Sequence, residues 1–242
     1  IYSALKSLSS SCAVGPGLFP PILAKGCASQ LAAPLSKLFN VFFQLGSLPG
    51  DWKLAHVIPI YKLKGDPSRI NNYRPVSLTD TACKVMESCI KKELLSYLLN
   101  NNLLSSRQHG FLPRRSTLTA LLQTYHTLVV NADEGRITDV VYFDLTKAFD
   151  SVVHSKLFKK CRSYGVRGKL LKFIENFLSD RFQRVVIQES MSDWTRVKSG
   201  VPQGSVLGPL LFVLYINDLP DVIRASNIDL FADDAKISRT FP

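Results

Sequence analysis

Two adjacent acids near the end of the sequence interrupt an apolar stretch, and they constrain the fold more than any other feature of this chain. Asp233 and Asp234 lie between the apolar segments 228–231 and 235–237. Short apolar segments separated by residues that favour turns are typical of a β-hairpin. The sequence therefore predicts two strands joined by a tight turn, with both carboxylates at its tip.

A third acid, Asp144, follows a short apolar segment in the same way. Residues 140–143 predict a strand that ends at this aspartate. Repulsion between like charges and loss of hydration both disfavour ionised carboxylates at the ends of apolar strands, and a divalent cation relieves that cost. Mg²⁺ prefers oxygen ligands, and a pair of such ions can support in-line phosphoryl transfer. An isolated Asp-Asp pair is more often an ordinary turn, so the metal-site hypothesis depends on the surrounding sequence.

The rest of the chain shows a mixture of helical and strand patterns. Apolar spacing and capping residues predict helices over about 28–47, 80–100, 117–135, 154–164, 167–180 and 204–219. Strands are predicted over 54–61, 182–188 and 194–198, the last two as a hairpin. Pro59 suggests that the first of these strands lies at a sheet edge. This order of elements favours an α+β fold over a doubly wound parallel sheet.

The composition indicates a globular and basic protein. The chain has 242 residues, of which 46% are hydrophobic, and a net charge of +11. A hydrophobic fraction of this size argues against extensive disorder. The positive charge favours a polyanionic partner, with nucleic acid first and an anionic membrane second. The longest apolar run, 210–216, is far shorter than a membrane span, so no membrane partner is predicted from it.

Cysteine and histidine usage argues against disulfides and zinc. The sequence contains no C-x-x-C pair, and its five cysteines are scattered: Cys12, Cys27, Cys83, Cys89 and Cys161. This usage favours a reducing, intracellular compartment, with nucleus and cytoplasm both open. The four histidines lie far from one another and from any cysteine pair, so no zinc site is predicted. Nothing in the sequence indicates an oligomeric state.

Five segments follow one another along the chain: 72–78 (NYRPVSL), 108–111 (QHGF), 143–150 (FDLTKAFD), 199–210 (SGVPQGSVLGPL) and 231–234 (FADD). Taken in this order, they resemble the motifs of reverse transcriptases of the non-LTR (LINE-like, jockey/CR1-type) retrotransposons. Segments 143–150, 199–210 and 231–234 resemble motifs A, B and C of the palm. Segments 72–78 and 108–111 resemble fingers motifs of the non-LTR and group II intron branch. Five matches in the family's order distinguish this pattern from a chance match to one short motif.

The resemblance implies an RNA-directed DNA polymerase that adds deoxynucleotides to a DNA primer on an RNA template. The catalytic metal ligands would be Asp144, Asp233 and Asp234, which would hold two Mg²⁺ ions, with Mn²⁺ as an alternative. The nucleotide-binding residues would be Lys62, Arg74, Phe149, Gln203 and Gly204. Candidates for sequence-independent phosphate contacts with template or primer would be Arg114, Arg115, Arg181 and Arg184.

Several of these residues also have a plainer interpretation. Phe149 would exclude a 2′-hydroxyl and so select deoxynucleotides, but its spacing alone fits an ordinary core residue. Arg74 and Lys62 would hold a triphosphate, because a guanidinium binds phosphate bidentately, but they also fit a solvated basic loop. Gly200, Gly204 and Gly208 fit either a close backbone approach to a ligand or another strand, or a loop before a helix. For the four arginines, a solvated surface remains the default interpretation.

The resemblance also implies a right-hand polymerase architecture. Residues 1–136 would form an N-terminal extension and the fingers, and 137–242 would form the palm, with an antiparallel sheet packed on helices. Residues 165–199 would be a fingers insertion within the palm. The sequence would end just after motif C, so the thumb would be missing and the fragment is expected to hold primer and template poorly by itself. Two departures from the family pattern are a missing aspartate in segment 14–18 and Phe231 in place of the commoner tyrosine.

Two alternatives remain open. An RNA-dependent RNA polymerase shares the palm chemistry, but it usually has glycine before its Asp pair and a polar residue near the ribose. Ala232 and Phe149 argue against that alternative. A non-catalytic, nucleic-acid-binding remnant would account for the altered upstream segment and the early end. Nucleotide selectivity and metal-dependent synthesis distinguish these hypotheses.

Overall fold

The computed structural model describes residues 1–10, 13–17 and 19–242. Its helices are α1 (Tyr2–Lys6), α2 (Pro21–Gly26), α3 (Ala28–Leu45), α4 (Thr81–Asn100), α5 (Thr117–Asp133), α6 (His154–Ser163), α7 (Gly168–Leu178), α8 (Gly208–Ile216) and α9 (Leu219–Val222). Its strands are β1 (Leu54–Tyr61), β2 (Tyr73–Leu78), β3 (Ile137–Asp144), β4 (Phe182–Ile187), β5 (Ser190–Met191), β6 (Thr195–Arg196), β7 (Asn227–Phe231) and β8 (Asp234–Phe241). This mixture confirms the predicted α+β class. Cys12, one of the five cysteines, and Leu18, the last residue of segment 14–18, lie outside the described residues.

Helix ends coincide with capping residues that the sequence provides. The Asp80 side chain accepts the backbone N–H of Cys83 at 3.0 Å, and α4 begins there. Ser116 and Thr119 form a reciprocal capping box at the start of α5. Gly46 ends α3 in a left-handed conformation with φ of 61°. Local sequence therefore decides where these three helices begin or end.

The first sheet contains β1, β2, β4, β5 and β6. β1 pairs antiparallel with β2 and parallel with β4, so it is a central strand over part of its length. The pairing with β4 covers only residues 54–57 of β1. Pro59 lies beyond that stretch and pairs with Pro75 of β2, so the predicted sheet edge is correct only for this half of the strand. The predicted hairpin over 182–198 forms, but its second arm consists of two short strands, because β4 pairs with both β5 and β6.

The second sheet is antiparallel and has the order β3–β8–β7. Helix α5 packs against it, and Asn131 Nδ2 donates to the hydroxyls of Thr138 and Thr240 at 3.0 Å each. The predicted boundary between 1–136 and 137–242 placed α5 with the fingers. In the structure α5 contacts β3 and β7 of this second sheet, and the boundary itself stays a prediction.

One hydrophobic core extends through both regions. Fully buried aromatic side chains at its centre are Phe173 and Phe177 of α7 and Phe212 of α8. Because the core is continuous, the predicted fingers and palm are not separated by a gap in packing. The assignment of these two regions stays a prediction.

Helix α8 is apolar on nearly every side, as expected for a helix buried in the centre of a domain. It begins at Gly208, four residues later than the predicted start at Gly204. Ser205 accounts for the delay, since its hydroxyl donates to the Pro202 carbonyl at 2.9 Å and accepts the Gly208 N–H at 3.0 Å. Among the described residues, no helix combines the length and apolar character needed to cross a membrane.

Candidate active site

Asp144 and Asp234 meet at one end of the second sheet. Asp144 is the last residue of β3, and its direct cross-strand partner is Asp234, the first residue of β8. Directly opposed residues of an antiparallel pair share one face of the sheet, with Cβ atoms about 4.5–5.5 Å apart. Two acids that are distant in the sequence are therefore neighbours in the fold.

The turn beside them is tighter than the sequence predicted. Phe231 pairs with Asp234, so the turn between β7 and β8 consists of Ala232 and Asp233 alone. Asp233 is at the tip, whereas Asp234 already belongs to a strand. Ala232 has a positive φ of 56°, a conformation that two-residue hairpin turns require and that residues with a side chain seldom adopt.

The charges of this cluster oppose one another. Loss of hydration raises the pKa of Asp234 above its ordinary value, and the negative charges of Asp233 and Asp144 raise it further. A divalent cation would relieve this cost, and carboxylate oxygens are the ligands that Mg²⁺ prefers, so the donor set fits such an ion.

The side chains do not form a complete metal cage. No group of three His, Cys, Asp or Glu side chains within residues 1–10, 13–17 and 19–242 is arranged as a ready-made metal site. Mg²⁺ keeps several waters and takes oxygen atoms from substrate phosphates. A partial set of carboxylates at the end of the sheet is therefore compatible with this ion.

An ion pair fixes the β7–β8 hairpin on the side of α5. Asp229 and Lys236 are cross-strand partners, and their charged atoms lie 2.9 Å apart in a largely buried position. Lys236 also donates to the Thr124 hydroxyl of α5. Arg107 lies 3.5 Å from the other carboxylate oxygen of Asp229. These contacts attach the strands that carry the acids to a helix behind them.

The segment 107–110 runs beside β7 as a short parallel addition to the sheet. The Leu230 N–H donates to the Arg107 carbonyl at 2.9 Å, and the His109 N–H donates to the Leu230 carbonyl at 2.7 Å. The QHGF segment, which resembles a fingers motif, is therefore bonded directly to the strand that leads to the acidic turn.

The same segment touches the turn itself. The Oε1 atom of buried Gln108 accepts the N–H of Ala232 at 2.9 Å. A Cβ atom on Gly110 would lie 2.2 Å from the backbone nitrogen of Ala232, so only glycine fits there. Sequence reasoning assigned no role to Gln108, although its place in a recognised motif marked the segment.

Phe149 is held by other aromatic rings. It stacks on Phe212 with ring centroids 4.6 Å apart and an angle of 12° between the planes. Phe111 meets it edge to face at 5.9 Å. The Phe149 side chain is half-buried, so its ring belongs in part to the core and in part to the surface. Its selection of deoxynucleotides stays a prediction.

Gly200 joins the start of motif B to the end of motif A. A Cβ atom at this position would lie 2.7 Å from Asp150 Cα and 2.9 Å from the Phe149 carbonyl oxygen. The next residue, Val201, donates its N–H to the same Phe149 carbonyl at 2.9 Å. The close-approach interpretation of this glycine is therefore confirmed.

Gly204 joins motif B to the first sheet. A Cβ atom here would lie 2.3 Å from the Ser77 carbonyl oxygen, and the Ser77 N–H donates to the Gln203 carbonyl at 2.7 Å. Ser77 lies on β2, the strand that also carries Arg74. Arg74 and Lys62 are both exposed near the end of the β1–β2 hairpin. The contacts thus link motif A, motif B and the basic hairpin, while nucleotide binding by these residues stays a prediction.

Three of the four candidate arginines keep some exposure. Arg114 is exposed. Arg115 is half-buried, and its Nη1 atom donates to the carbonyls of Ser106 and Gln108 at 2.6 and 2.5 Å. The guanidinium of Arg184 lies 4.5 Å from the ring centre of Trp194. Arg115 and Arg184 therefore have structural partners in addition to any phosphate contact.

The assignment of Arg181 as a phosphate contact is wrong. This residue is only 2% exposed, and its Nη1 atom donates to the Phe177 carbonyl at 3.0 Å. Burial lowers the pKa of its guanidinium, and the negative charge of nearby Glu87 partly offsets that effect. A guanidinium enclosed in this way cannot reach a nucleic-acid backbone.

Glu87 is a buried acid that motif comparison missed. Its Oε2 atom accepts the N–H groups of Val206 and Leu207 at 2.8 and 2.9 Å, just before α8 begins. Burial raises the pKa of this carboxyl, although these hydrogen bonds and Arg181 oppose the effect. One signal could have identified it: at helical spacing, Glu87 is aligned with the buried residues Cys83, Ile90, Leu94 and Leu98.

Three aspartates lie at one end of a sheet, and backbone contacts join motif A to motif B and motif B to the strand of the basic hairpin. Clustered carboxylates of this kind can support metal-assisted phosphoryl transfer. The sequence model of the family described as reverse transcriptase (RNA-dependent DNA polymerase) matches residues 62–240. The chain belongs to this family.

Several relatives are proteins of mobile elements in Drosophila melanogaster. The chain is 28% identical over 226 residues, 91% of its length and 24% of the relative's, to the protein named probable RNA-directed DNA polymerase from transposon BS. It is 28% identical over 210 residues, 84% of its length and 23% of the relative's, to the RNA-directed DNA polymerase from mobile element jockey. It is 26% identical over 239 residues, 94% of its length and 22% of the relative's, to the Pol polyprotein from type-2 retrotransposable element R2DM. These matches confirm the resemblance to jockey-type elements, and the chain spans about a quarter of the length of these relatives.

Proposed function

We propose that this chain forms the fingers and palm of an RNA-directed DNA polymerase that adds deoxynucleotides to the 3′ end of a DNA primer. The observation that carries the proposal is the register of β3 and β8, which sets Asp144 opposite Asp234 and beside the turn that contains Asp233. The names of the mobile-element relatives, two of which are RNA-directed DNA polymerases, support the same activity.

Asp144, Asp233 and Asp234 would hold two Mg²⁺ ions, or Mn²⁺ in their place. Bound divalent ions would activate the primer hydroxyl and stabilise the charge that develops during in-line phosphoryl transfer. The chain's own contribution is to hold the carboxylates in register at the end of one sheet. Because the pKa of Asp234 is raised, its ionised form is reached only at a higher pH than for an isolated aspartate.

The incoming deoxynucleotide would lie between the basic hairpin and motif B. Lys62 and Arg74 are exposed cations on that hairpin and would bind the triphosphate. Phe149, whose ring is fixed by aromatic stacking, would exclude a 2′-hydroxyl. Gln203 and Gly204, whose backbone contacts β2, would line the nucleotide pocket.

The RNA template and DNA primer would be bound mainly through their phosphates. A net charge of +11 favours such binding and makes its strength depend on salt. Arg114 is the exposed one of the four candidate arginines and would contribute, and the exposed parts of Arg115 and Arg184 would add to it. An intracellular location, in the nucleus or the cytoplasm, is part of the same proposal.

Primer extension tests the proposal. The chain, together with its native flanking sequence, is supplied with a primed RNA template, Mg²⁺ and deoxynucleotides. Asp144→Asn is expected to lower incorporation by about 10³-fold, the scale on which the loss of one charge-stabilising group acts. Asp139→Asn, an exposed acid on the same strand, is the matched control and should keep its activity. Equal activity in the two variants would contradict the assignment of Asp144.

Nucleotide selectivity tests the RNA polymerase alternative. A reverse transcriptase should prefer deoxynucleotides, and Phe149→Val should increase incorporation of ribonucleotides because it removes the ring. A wild-type preference for ribonucleotides would support the alternative instead. Salt-dependent binding without any metal-dependent synthesis would support a non-catalytic remnant.

A further inference from the structure

Gln108 is a fully buried polar side chain whose oxygen carries all of its hydrogen bonds. The residue is 0% exposed, and its Oε1 atom accepts the N–H groups of Gly110 at 2.7 Å and Ala232 at 2.9 Å. Its Nε2 atom has no hydrogen-bond partner among the described residues. Burying an amide with an unpaired donor costs free energy. The stabilising hydrogen bonds of this side chain are therefore those that its oxygen accepts.

One of these two N–H groups belongs to Ala232, a residue with a strained backbone conformation. Ala232 has a φ of 56°, and a left-handed conformation costs a residue with a Cβ atom about 1–2 kcal/mol. Such a conformation persists only where the surroundings hold it. Two contacts do so here: the hydrogen bond to Gln108 and the close backbone approach of Gly110.

Ala232 is followed directly by Asp233, and the two residues make up the whole turn. Any change in the backbone of Ala232 therefore displaces Asp233 relative to the neighbouring strand. Asp144 and Asp234 are held independently by the pairing of β3 with β8. The position of Asp233 thus depends more than theirs on contacts made by the turn.

We propose that Gln108 is a positioning residue that sets the place of Asp233 relative to Asp144 and Asp234. Its carboxamide oxygen holds the Ala232 N–H and so keeps the turn in the conformation that divalent cation binding requires. The inference rests on the proposed function, since it takes Asp233 as a ligand of that cation. It adds a fingers-motif residue, outside the three acids, to the group that determines cation affinity.

A positioning role differs from a core-filling role in what it requires of the side chain. A core residue contributes volume, and methionine replaces glutamine at little cost in volume. A positioning residue contributes an acceptor at one point. Gln108→Met removes the acceptor and keeps the approximate size, whereas Gln108→Glu keeps an acceptor oxygen at the same reach.

Mn²⁺ binding to the full chain is the direct measurement, because it is independent of catalysis. Free Mn²⁺ is followed by electron paramagnetic resonance during titration of each variant. Gln108→Met is expected to weaken Mn²⁺ affinity about fivefold to tenfold, which corresponds to the loss of the hydrogen bond from Ala232. Gln108→Glu should retain the wild-type affinity or exceed it. Gly110→Ala, whose Cβ atom would lie 2.2 Å from the backbone nitrogen of Ala232, should also weaken binding.

Asn176→Leu is the matched control for general loss of stability. Asn176 is a half-buried amide whose oxygen accepts the Leu48 N–H at 2.8 Å, between α7 and the end of α3. This variant should lower the melting temperature and leave Mn²⁺ affinity unchanged. If Asn176→Leu weakens Mn²⁺ binding as much as Gln108→Met at equal loss of stability, the effect of Gln108 is merely structural and the inference is overturned.

Asp233→Asn separates this inference from the proposed function. Unchanged Mn²⁺ affinity in Asp233→Asn would overturn the proposed metal site and the inference together. A loss of affinity in Asp233→Asn, with none in Gln108→Met and none in Gly110→Ala, would overturn the inference alone. A loss in all three variants, with affinity retained in Gln108→Glu, is the expected result.

Discussion

Asp144 and Asp234 are direct partners across the ladder of β3 and β8. Like charges in directly opposed positions destabilise a sheet. Loss of hydration raises the pKa of Asp234, and the negative charges of Asp233 and Asp144 raise it further. Ionising the carboxyl groups at this end of the sheet therefore costs free energy, and a bound cation would remove that cost.

Replacing Asp144 by asparagine should lower the pKa of Asp234. The substitution removes a negative charge that opposes ionisation of its cross-strand partner. An NMR titration of the Asp234 carboxyl carbon measures the change. Asp139→Asn is the control, since Asp139 lies on the same strand but pairs with Arg239. If both variants leave the Asp234 titration unmoved, the two carboxylates do not interact.

Buried Glu87 should make stability depend on pH. Burial raises its pKa above the ordinary value of 4.5, so the folded chain holds this proton to a higher pH than the unfolded chain does. Below the ordinary pKa, the folded and unfolded chains both hold this proton. As the pH rises, the unfolded chain releases it first, so the free energy of unfolding falls until the pH passes the folded-state pKa.

Glu87→Gln removes this titration. The free energy of unfolding of the wild type, relative to this variant, should therefore decrease with rising pH by at most about 1.4 kcal/mol per pH unit. Urea denaturation across the acidic to neutral range measures it. Glu93→Gln, an exposed position on the same helix, is the control and should show a much flatter difference. A flat difference for Glu87→Gln as well would mean that this carboxyl ionises alike in both states.

Gly200→Ala should destabilise the fold more than Gly135→Ala. Both glycines have positive φ, 89° and 70°, so each alanine meets the same kind of backbone strain, about 1–2 kcal/mol. A Cβ atom at Gly200 would also lie 2.7 Å from backbone of Asp150, whereas nothing lies within 4 Å of one at Gly135. Overpacking of this kind adds about 1–3 kcal/mol. Equal unfolding free energies, measured in urea, would refute the close approach.

Arg114→Gln and Arg181→Met should have different effects on nucleic-acid binding. Arg114 is exposed, so its loss should reduce the slope of log affinity against log salt by about 0.7–0.9, the value for one phosphate contact. Arg181 is enclosed by the core, so its loss should leave the slope unchanged. Fluorescence anisotropy with a primed RNA template at several salt concentrations measures both. A reduced slope in folded Arg181→Met would contradict the burial of this residue.

Where interactions are local, the sequence was a reliable guide. Asp80 and Ser116 cap α4 and α5 because their side chains bond to backbone groups three residues away. Gly46 ends α3 because it can adopt a left-handed conformation. The hairpin around the adjacent acids was also predictable from its flanking apolar segments, although the exact two-residue turn was not.

Sequence reasoning failed where distant segments decide the outcome. Helix α8 was predicted to start at Gly204, but the Gln203 carbonyl accepts the Ser77 N–H, and Glu87 accepts the N–H groups of Val206 and Leu207 just before the helix. Arginine is usually a surface residue, and only the burial of Arg181, which is 2% exposed, shows otherwise. The contacts of Gln203 and Glu87 join residues far apart in the chain, so no local pattern encodes them.

By itself, the sequence determined the α+β class and most helix boundaries and indicated the candidate acids, because these depend on neighbouring residues and on motif order. The tertiary structure alone decided that Asp144 is paired with Asp234, that Arg181 is buried and that Gln108 supports Ala232. The physical reason is that strand register and burial are set by the packing of the whole chain. The long-range contacts of the native state form together, because they support one another in a single free-energy minimum.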